Sequence, residues 1–494
     1  MALQSRLRRR RAWMWIVVLP VAAVLAGYLT GGSSARTPGP SFAPPVYVDQ
    51  QLAGGEPEVF ADTQHGTLIY TAHEGTTHLY RDGIVNSPWG DFNFVANYCN
   101  QVNVWTSPDN GTNWYRDRYL GTTCPTSPAI NTGFSDPDLT QDAGGRVYDT
   151  GINLVNDALF SSIDGGQTWT QGNADCHDGD RPWLAGGKAN QVFMGTDTLE
   201  GSGSGHQVFV SNDGGQTCSA TGIDDNGSLA DGGSWSAFGK LYYDKTNGAV
   251  VEPAIFDHGD GSFGVGISTM PSGGSAFTPH EGFRGTSMYG HWPAIAIDSA
   301  GTVYVVWDTD NRQAGTSGGC NGAATPAANS IMMISTKDMG ATWSAPATIA
   351  HPGTRVLWPW IAAGDAGKVS VVWYQTETRD GMPDLDCQAG HIHVMEASLT
   401  NAASKKPSGT VVDAAGRYVH DGWVCQGGTT CVATGQDRRL GDYFTNTLDA
   451  RGCVLIATGD TRLTDPTTGG PYPTARPLFI RQNAGPRLIG SGNC

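Results

Sequence analysis

Short apolar runs broken by Gly/Asp turns recur along this chain, and within the runs apolar and polar positions alternate with the period of a strand. The clearest example is Trp292-Pro-Ala-Ile-Ala-Ile-Asp298-Ser-Ala-Gly301-Thr-Val-Tyr-Val-Val-Trp307, which predicts two antiparallel strands around a tight turn. Related pairs begin at Glu56-Pro57, Asp136-Pro137, Arg181-Pro182, Ser236-Ala237, Trp358-Pro359 and Gly441-Asp442, making seven. No helix of normal length is expected after residue 35, because Gly interrupts nearly every window. The stretches Arg312 to Asn329 and Ala402 to Gly435 are expected as longer loops.

Between these pairs lies a second repeat, S/T-x-D-x-G-x-x-W. It occurs as Ser107 to Trp114, Ser162 to Trp169, Ser211 to Cys218 and Thr336 to Trp343, with a worn copy from Met270 to Phe277. Its Asp accepts backbone N–H bonds, its Gly supplies positive φ, and its hydroxyl adds a local bond, so the motif closes a hairpin and the Trp plugs it. Two hairpins per unit give four antiparallel strands, and seven units predict an all-β propeller from residue 46 to 494. Val46-Tyr47-Val48 is expected to pair with the last blade. In such a meander the Asp109, Asp164, Asp213 and Asp338 turns fall at the opposite end from the starts of the first strands. The motif turns therefore face away from the mouth.

These turns resemble the Asp boxes, or BNR repeats, of the sialidase superfamily, over roughly residues 46 to 494. The resemblance implies a propeller, six-bladed in sialidases, which keeps six blades as the alternative to seven. It also implies an arginine triad, a Tyr/Glu nucleophile pair and an Asp acid/base. Asp boxes occur as well in xyloglucan-active hydrolases and sortilin-like receptors, so the motif speaks for fold rather than for one activity. The Arg-Ile-Pro tripeptide of the family's first arginine is absent, and Arg181-Pro182 is its nearest echo.

Arg6 and Arg8 to Arg11 precede an apolar stretch from residue 12 to 29, so residues 1–35 read as a cleaved signal or a retained single anchor. The Gly/Ser/Pro-rich residues 36–45 read as a tether. Either way the remainder is expected to be secreted or held at the outer face of the plasma membrane. Ten cysteines, all beyond residue 98, agree with an oxidising compartment. Nearest-neighbour pairing would join Cys99 to Cys124, Cys176 to Cys218, Cys320 to Cys387, Cys425 to Cys431 and Cys453 to Cys494. Cys218 stands where the turn Trp should be, so a bridge there could replace the plug. With a formal charge of −16 the chain is a poor partner for nucleic acid. Cations and neutral polymers fit better; glycans or glycoconjugates are the expected partner, and a monomer is expected.

Chemistry is expected where the first strands begin, because inner strands line a propeller's axis. Those positions hold Glu56, Asp136, Asp138, Asp180, Arg181, His291, Trp292, Trp358, Arg438, Arg439, Asp442 and Tyr443. In a retaining glycosidase mechanism Tyr443 would be the nucleophile, assisted by a carboxylate such as Asp442. Asp136, Asp138 or Asp180 would be the acid/base, and Arg181, Arg438 and Arg439 would clamp an anion. His291, Trp292 and Trp358 would contact the sugar. The rival expectation is a noncatalytic propeller that grips a polymer or a protein. No zinc pattern and no cofactor motif is present, while Asp308-Thr-Asp310-Asn311 and Asp384-Leu-Asp386 offer oxygens that calcium could use. The matches Gly315 to Gly319 and Gly259 to Gly264 to catalytic glycine motifs lack the strand-to-helix context those motifs need.

Overall fold

A computed structural model describes residues 39–81, 101–117, 133–153, 156–171, 177–198, 205–220, 222–225, 227–286, 292–309, 313–314, 320–321, 330–377, 390–422 and 424–494. The alternating runs form seven antiparallel sheets, each led by one of the expected strand pairs. Their first strands are Glu58–Asp62, Ser135–Gln141, Asp180–Gly186, Ser234–Phe238, Ala294–Ile297, Val356–Ala363 and Thr445–Leu448, for blades 1 to 7. Neighbouring blades touch in sequence around a ring through these inner strands, with Tyr242–Tyr243 making the contacts of blade 4, and the inner strand of blade 7 touches that of blade 1. The protein is thus a seven-bladed β-propeller, and the six-bladed alternative is corrected.

Blade 7 is closed by the other end of the chain. Its third strand, Arg476–Ala484, pairs with Ser41–Phe42 and with Val46–Tyr47. Pairing through Val46 is as expected from the sequence, but strand structure already begins at Ser41, inside the stretch expected as a tether. Residues 1–38, including the candidate anchor 12–29, lie outside the described residues, among which no helix is long and apolar enough to cross a membrane.

The repeated turns occupy the link between third and fourth strands and all four bond alike. The Ser or Thr hydroxyl donates to the Asp carboxylate and accepts the Gly N–H. The same carboxylate accepts the N–H four residues on, at 2.8–3.0 Å. In blade 3 the Thr217 hydroxyl and N–H draw Asp213 down to about 2. Each turn also docks onto the preceding blade. Gly166 has a φ of 85°, and a Cβ there would stand 2.9 Å from Ile69 of blade 1. Trp169 then packs with Ile69, Val104 and Phe160. Cys218 packs in the corresponding place between blades 2 and 3 and is disulfide-bonded, whereas its expected partner Cys176 lies outside the described residues. Bridges join Cys425 to Cys431 and Cys453 to Cys494, as neighbour pairing anticipates. Cys99, Cys124 and Cys387 lie outside the described residues.

Candidate functional site

The starts of the first strands share a local peculiarity that sets the site. Glu56, Asp136, Arg181 and Trp358 each precede a proline and hold a left-handed φ of 48°, 51°, 59° and 51°. Non-glycine residues avoid this region, so four repeats of it mark positions that the surrounding fold over-determines. Each sits at or just before a first strand, and in blades 2, 3 and 6 the strand pairing shifts register there. At Asp136 and Arg181 the bulge frees the side chain from the ladder, and both line the same cavity.

A cavity of about 330 Å³ lies at this end, walled by His78, Phe134, Asp136, Asp180, Arg181, Arg438 and Asp442 among others. The structure therefore brings Asp136, Asp180, Arg181, Arg438 and Asp442 together, as the sequence suggested. Arg438 donates to both oxygens of Asp442, at 2.6 and 2.9 Å. Arg181 donates to Asp197 at 2.9 Å and lies 4.7 Å over the Trp292 ring. Behind them Glu56 is buried; its Oε1 accepts the Asp442 N–H and meets His78 Nε2 at 2.9 Å.

Burial, reinforced by the nearby Asp442 charge, pushes Glu56 up to about 8. Burial and the neighbouring Glu56 and Asp180 likewise hold Asp136 well above the usual carboxylate range. Burial and the Arg438 charge push His78 well below its ordinary value, so it is neutral. The cavity thus presents Asp136, with its carboxyl raised by burial and by its acidic neighbours, beside further carboxyl groups, and both guanidinium groups in its wall are already paired. Glu56 and His78 were not assigned roles from the sequence. Glu56 stands among the strand-start positions that the sequence singles out, through its Glu56-Pro57 pair, while nothing in the sequence marks His78.

Below the cavity the axis is closed by a layer of rings. Trp183 of blade 3 contacts Trp360 of blade 6 at 5.9 Å, Trp292 at 5.8 Å and Tyr443 at 5.2 Å between centroids. Blades 3 and 6 are not neighbours, so these rings meet on the axis itself. Tyr443 is buried here, and its phenol donates to the Pro137 carbonyl at 2.6 Å. Burial and the surrounding carboxyls, Glu56 first, push that phenol well above its ordinary value. A phenol so held keeps its proton and has no carboxylate bonded to it as a base. The expectation of a Tyr443 nucleophile is corrected accordingly: the residue packs the axial layer.

Three further expectations change. Asp138 lies beneath the layer, where Lys240 Nζ meets its Oδ1 at 2.5 Å and Glu58 Oε1 at 2.7 Å. Its other oxygen accepts the Leu184 N–H, so it is a structural group and not an acid/base of the mouth. Arg439 turns away from the cavity onto Asp437 and the Tyr472 carbonyl, because neighbouring residues in the chain leave it in opposite directions. Trp358 is buried edge-on against Tyr374 and is no part of the cavity wall. His291 lies outside the described residues, as do Asp310, Asn311, Asp384 and Asp386 of the calcium expectation.

The sequence matches no family model and no curated protein. Among solved structures it is similar to a Trypanosoma rangeli sialidase in complex with the inhibitor DANA, at 13% identity over 90% of this chain and 60% of that one, with a TM-score of 0.39. An ulvan lyase of polysaccharide lyase family PL25 aligns at 11% identity over 91% and 97%, with a TM-score of 0.44. YCF48 bound to D1 peptide aligns at 11% over 90% and 97%, with a TM-score of 0.42.

Proposed function

We propose that this chain is an exported, monomeric propeller, secreted or anchored outside the cell, that binds neutral glycans in the cavity formed by Asp136, Asp180, Arg181, Arg438 and Asp442. The observation that carries this reading is the state of the two arginines. Each already pairs with a carboxylate, Arg438 with Asp442 and Arg181 with an Asp197 shared with His206, so an acidic sugar would have to compete with those pairs in a wall that is otherwise carboxylic. Hydroxyl groups instead find both donors and acceptors along the wall, as in polar sites that orient a ligand.

A second reading, hydrolysis of the bound glycan, is favoured by Asp136 alone. Burial raises this carboxyl and so favours the form that donates a proton to a glycosidic oxygen, and Asp180 on the same wall would serve as the second carboxyl of such a pair. The test is a glycan array with sialosides, amino sugars and neutral glycans, together with release of a fluorogenic leaving group. Neutral glycans are expected to bind and sialosides to fail. Selective sialoside binding would refute the reading. If turnover is present, Asp136→Asn should lower it about 10²–10⁴-fold with binding retained; binding without turnover in the native protein rejects the hydrolytic reading only.

A further inference from the structure

The two arginines of the upper cavity are held in different ways. Arg438 closes on both oxygens of Asp442, and its side chain is 7% exposed. Arg181 gives Asp197 one N–H, and its side chain stays 33% exposed on the wall beside Asp180. Asp197 is also shared: its second oxygen meets His206 Nδ1 at 2.9 Å, and His206 Nε2 meets Glu252 Oε2 at 2.7 Å. A file of four charged groups therefore runs from the cavity wall into the seam between blades 3 and 4. Strand register builds it, because Asp197 and His206 stand opposite each other on the second and third strands of blade 3, while Glu252 lies on the strand Val250–Asp257 of blade 4. Phe238 of blade 4 stacks on the His206 ring at 4.2 Å between centroids. Gly195 leaves the space, since a Cβ there would stand 3.2 Å from His206 Nε2 and 3.3 Å from Glu252 Oε2.

Both ring nitrogens of His206 face carboxylate oxygens, so both donate and the ring is an imidazolium. Against the penalty of burial, Glu252 and then Asp197 raise it to about 10. Asp225 completes its surroundings: the Asp225 N–H donates to the His206 carbonyl at 3.0 Å, and burial with the Glu252 charge pushes the Asp225 carboxyl up to about 7. We propose that His206 and Glu252, neither of them in the cavity wall, are positioning residues for it: by sharing the charge of Asp197 they leave Arg181 on a single bond, as the guanidinium that offers N–H groups to an oxygen of the ligand. That role in ligand binding rests on the glycan reading above, whereas the state of Arg181 does not. A guanidinium carries five N–H groups, so one bond to Asp197 leaves donors for a sugar hydroxyl or carbonyl. Asp180, Asp442 and Asp136 also act on Arg181 by charge, but the carboxylate bonded to it is Asp197. Without the imidazolium the whole charge of Asp197 falls to Arg181, which should close on it as Arg438 closes on Asp442.

The experiment is modification of the whole protein by phenylglyoxal, with the rate at Arg181 mapped by mass spectrometry against the exposed Arg451. His206→Gln alone would strand Glu252 in the seam, so the informative variant is His206→Gln with Glu252→Gln, which keeps both polar shapes and removes both charges. Arg181 should react about tenfold more slowly there than in the native protein, the worth of one charge-assisted bond, with a melting curve close to native. Glu252→Gln alone leaves the imidazolium on Asp197 and should keep Arg181 at least as reactive as in the native protein. A purely structural role would not give that split, because loosening the seam would speed modification in both variants or change neither. In the native protein, nitrogen NMR spectra at pH 8 should show both ring nitrogens of His206 protonated. A neutral His206 ring, or an Arg181 rate that is unchanged or faster in the double variant, overturns the proposal. Neither readout uses a glycan, so a glycan array without neutral binders would refute the neutral-glycan reading alone, and an unresponsive Arg181 would refute the positioning role alone.

Discussion

Glu56 offers a direct measure of how the mouth is wired, through the pH dependence of stability in Glu56→Gln. The side chain is 1% exposed and its carboxyl is raised from 4.5 to about 8 by burial and by Asp442. A raised carboxyl binds a proton in the folded protein that the unfolded chain has already released, so stability falls as pH climbs between the two values. With those two values, native stability should drop by about 3–4 kcal/mol between pH 5 and pH 8 on account of this group alone. Glutamine keeps an oxygen for the Asp442 N–H and for His78 and places an N–H₂ where the protonated carboxyl has its hydroxyl. The variant should therefore match the native protein near pH 5 and exceed it by about 3–4 kcal/mol at pH 8. Relief of Asp136, which Glu56 helps to raise, adds in the same direction. Urea unfolding followed by tryptophan fluorescence at pH 5, 6.5 and 8 gives the difference directly. Parallel curves for the two proteins across that range would refute the reasoning, because they would mean that residue 56 binds no extra proton on folding.

Three other outcomes follow from the packing. Gly166→Ala should cost about 1–3 kcal/mol, from a left-handed backbone and the approach to Ile69, whereas Gly232→Ala, with a φ of 92° and open space around it, should cost only the backbone part; thermal melts compare them. Lys240→Met should cost about 3–5 kcal/mol by stranding Glu58 and Asp138, and the triple variant with Glu58→Gln and Asp138→Asn should recover most of that in chemical denaturation. Cys494→Ser should cost about 2–4 kcal/mol by freeing the tail from Cys453, measured against the native protein under non-reducing conditions.

The ring was readable because its signals are local: alternation of side chains defines each strand, and Asp and Gly at fixed offsets define each turn. Where strand starts coincide with the cavity wall, as at Asp136, Arg181 and Asp442, the grouping of those residues was readable too. What escaped depends on partners far away in the chain. Nothing around Gly239-Lys240-Leu241 announces that a break between Ser234–Phe238 and Tyr242–Tyr243 lets the lysine reach Glu58 in blade 1. Arg438 and Arg439 look equivalent in sequence, yet one closes on Asp442 and the other on Asp437. Tyr443 sits where a nucleophile would be placed by position, but its depth along the axis, and hence its bond to Pro137, is a property of the assembled ring.

Closure of blade 7 by Ser41–Phe42 and Val46–Tyr47 has a consequence for biosynthesis. Residue 41 finds its partner at residue 484, so the segment that leaves the ribosome early has no strand to join until the end of translation. During that interval its edge, and the open sides of the blades already made, are templates for pairing with other chains. Contacts of such long sequence separation also form slowly. A cell making this protein must shield a six-blade arc until the seventh arrives, and a chain truncated anywhere before Arg476 would retain those unpaired edges permanently.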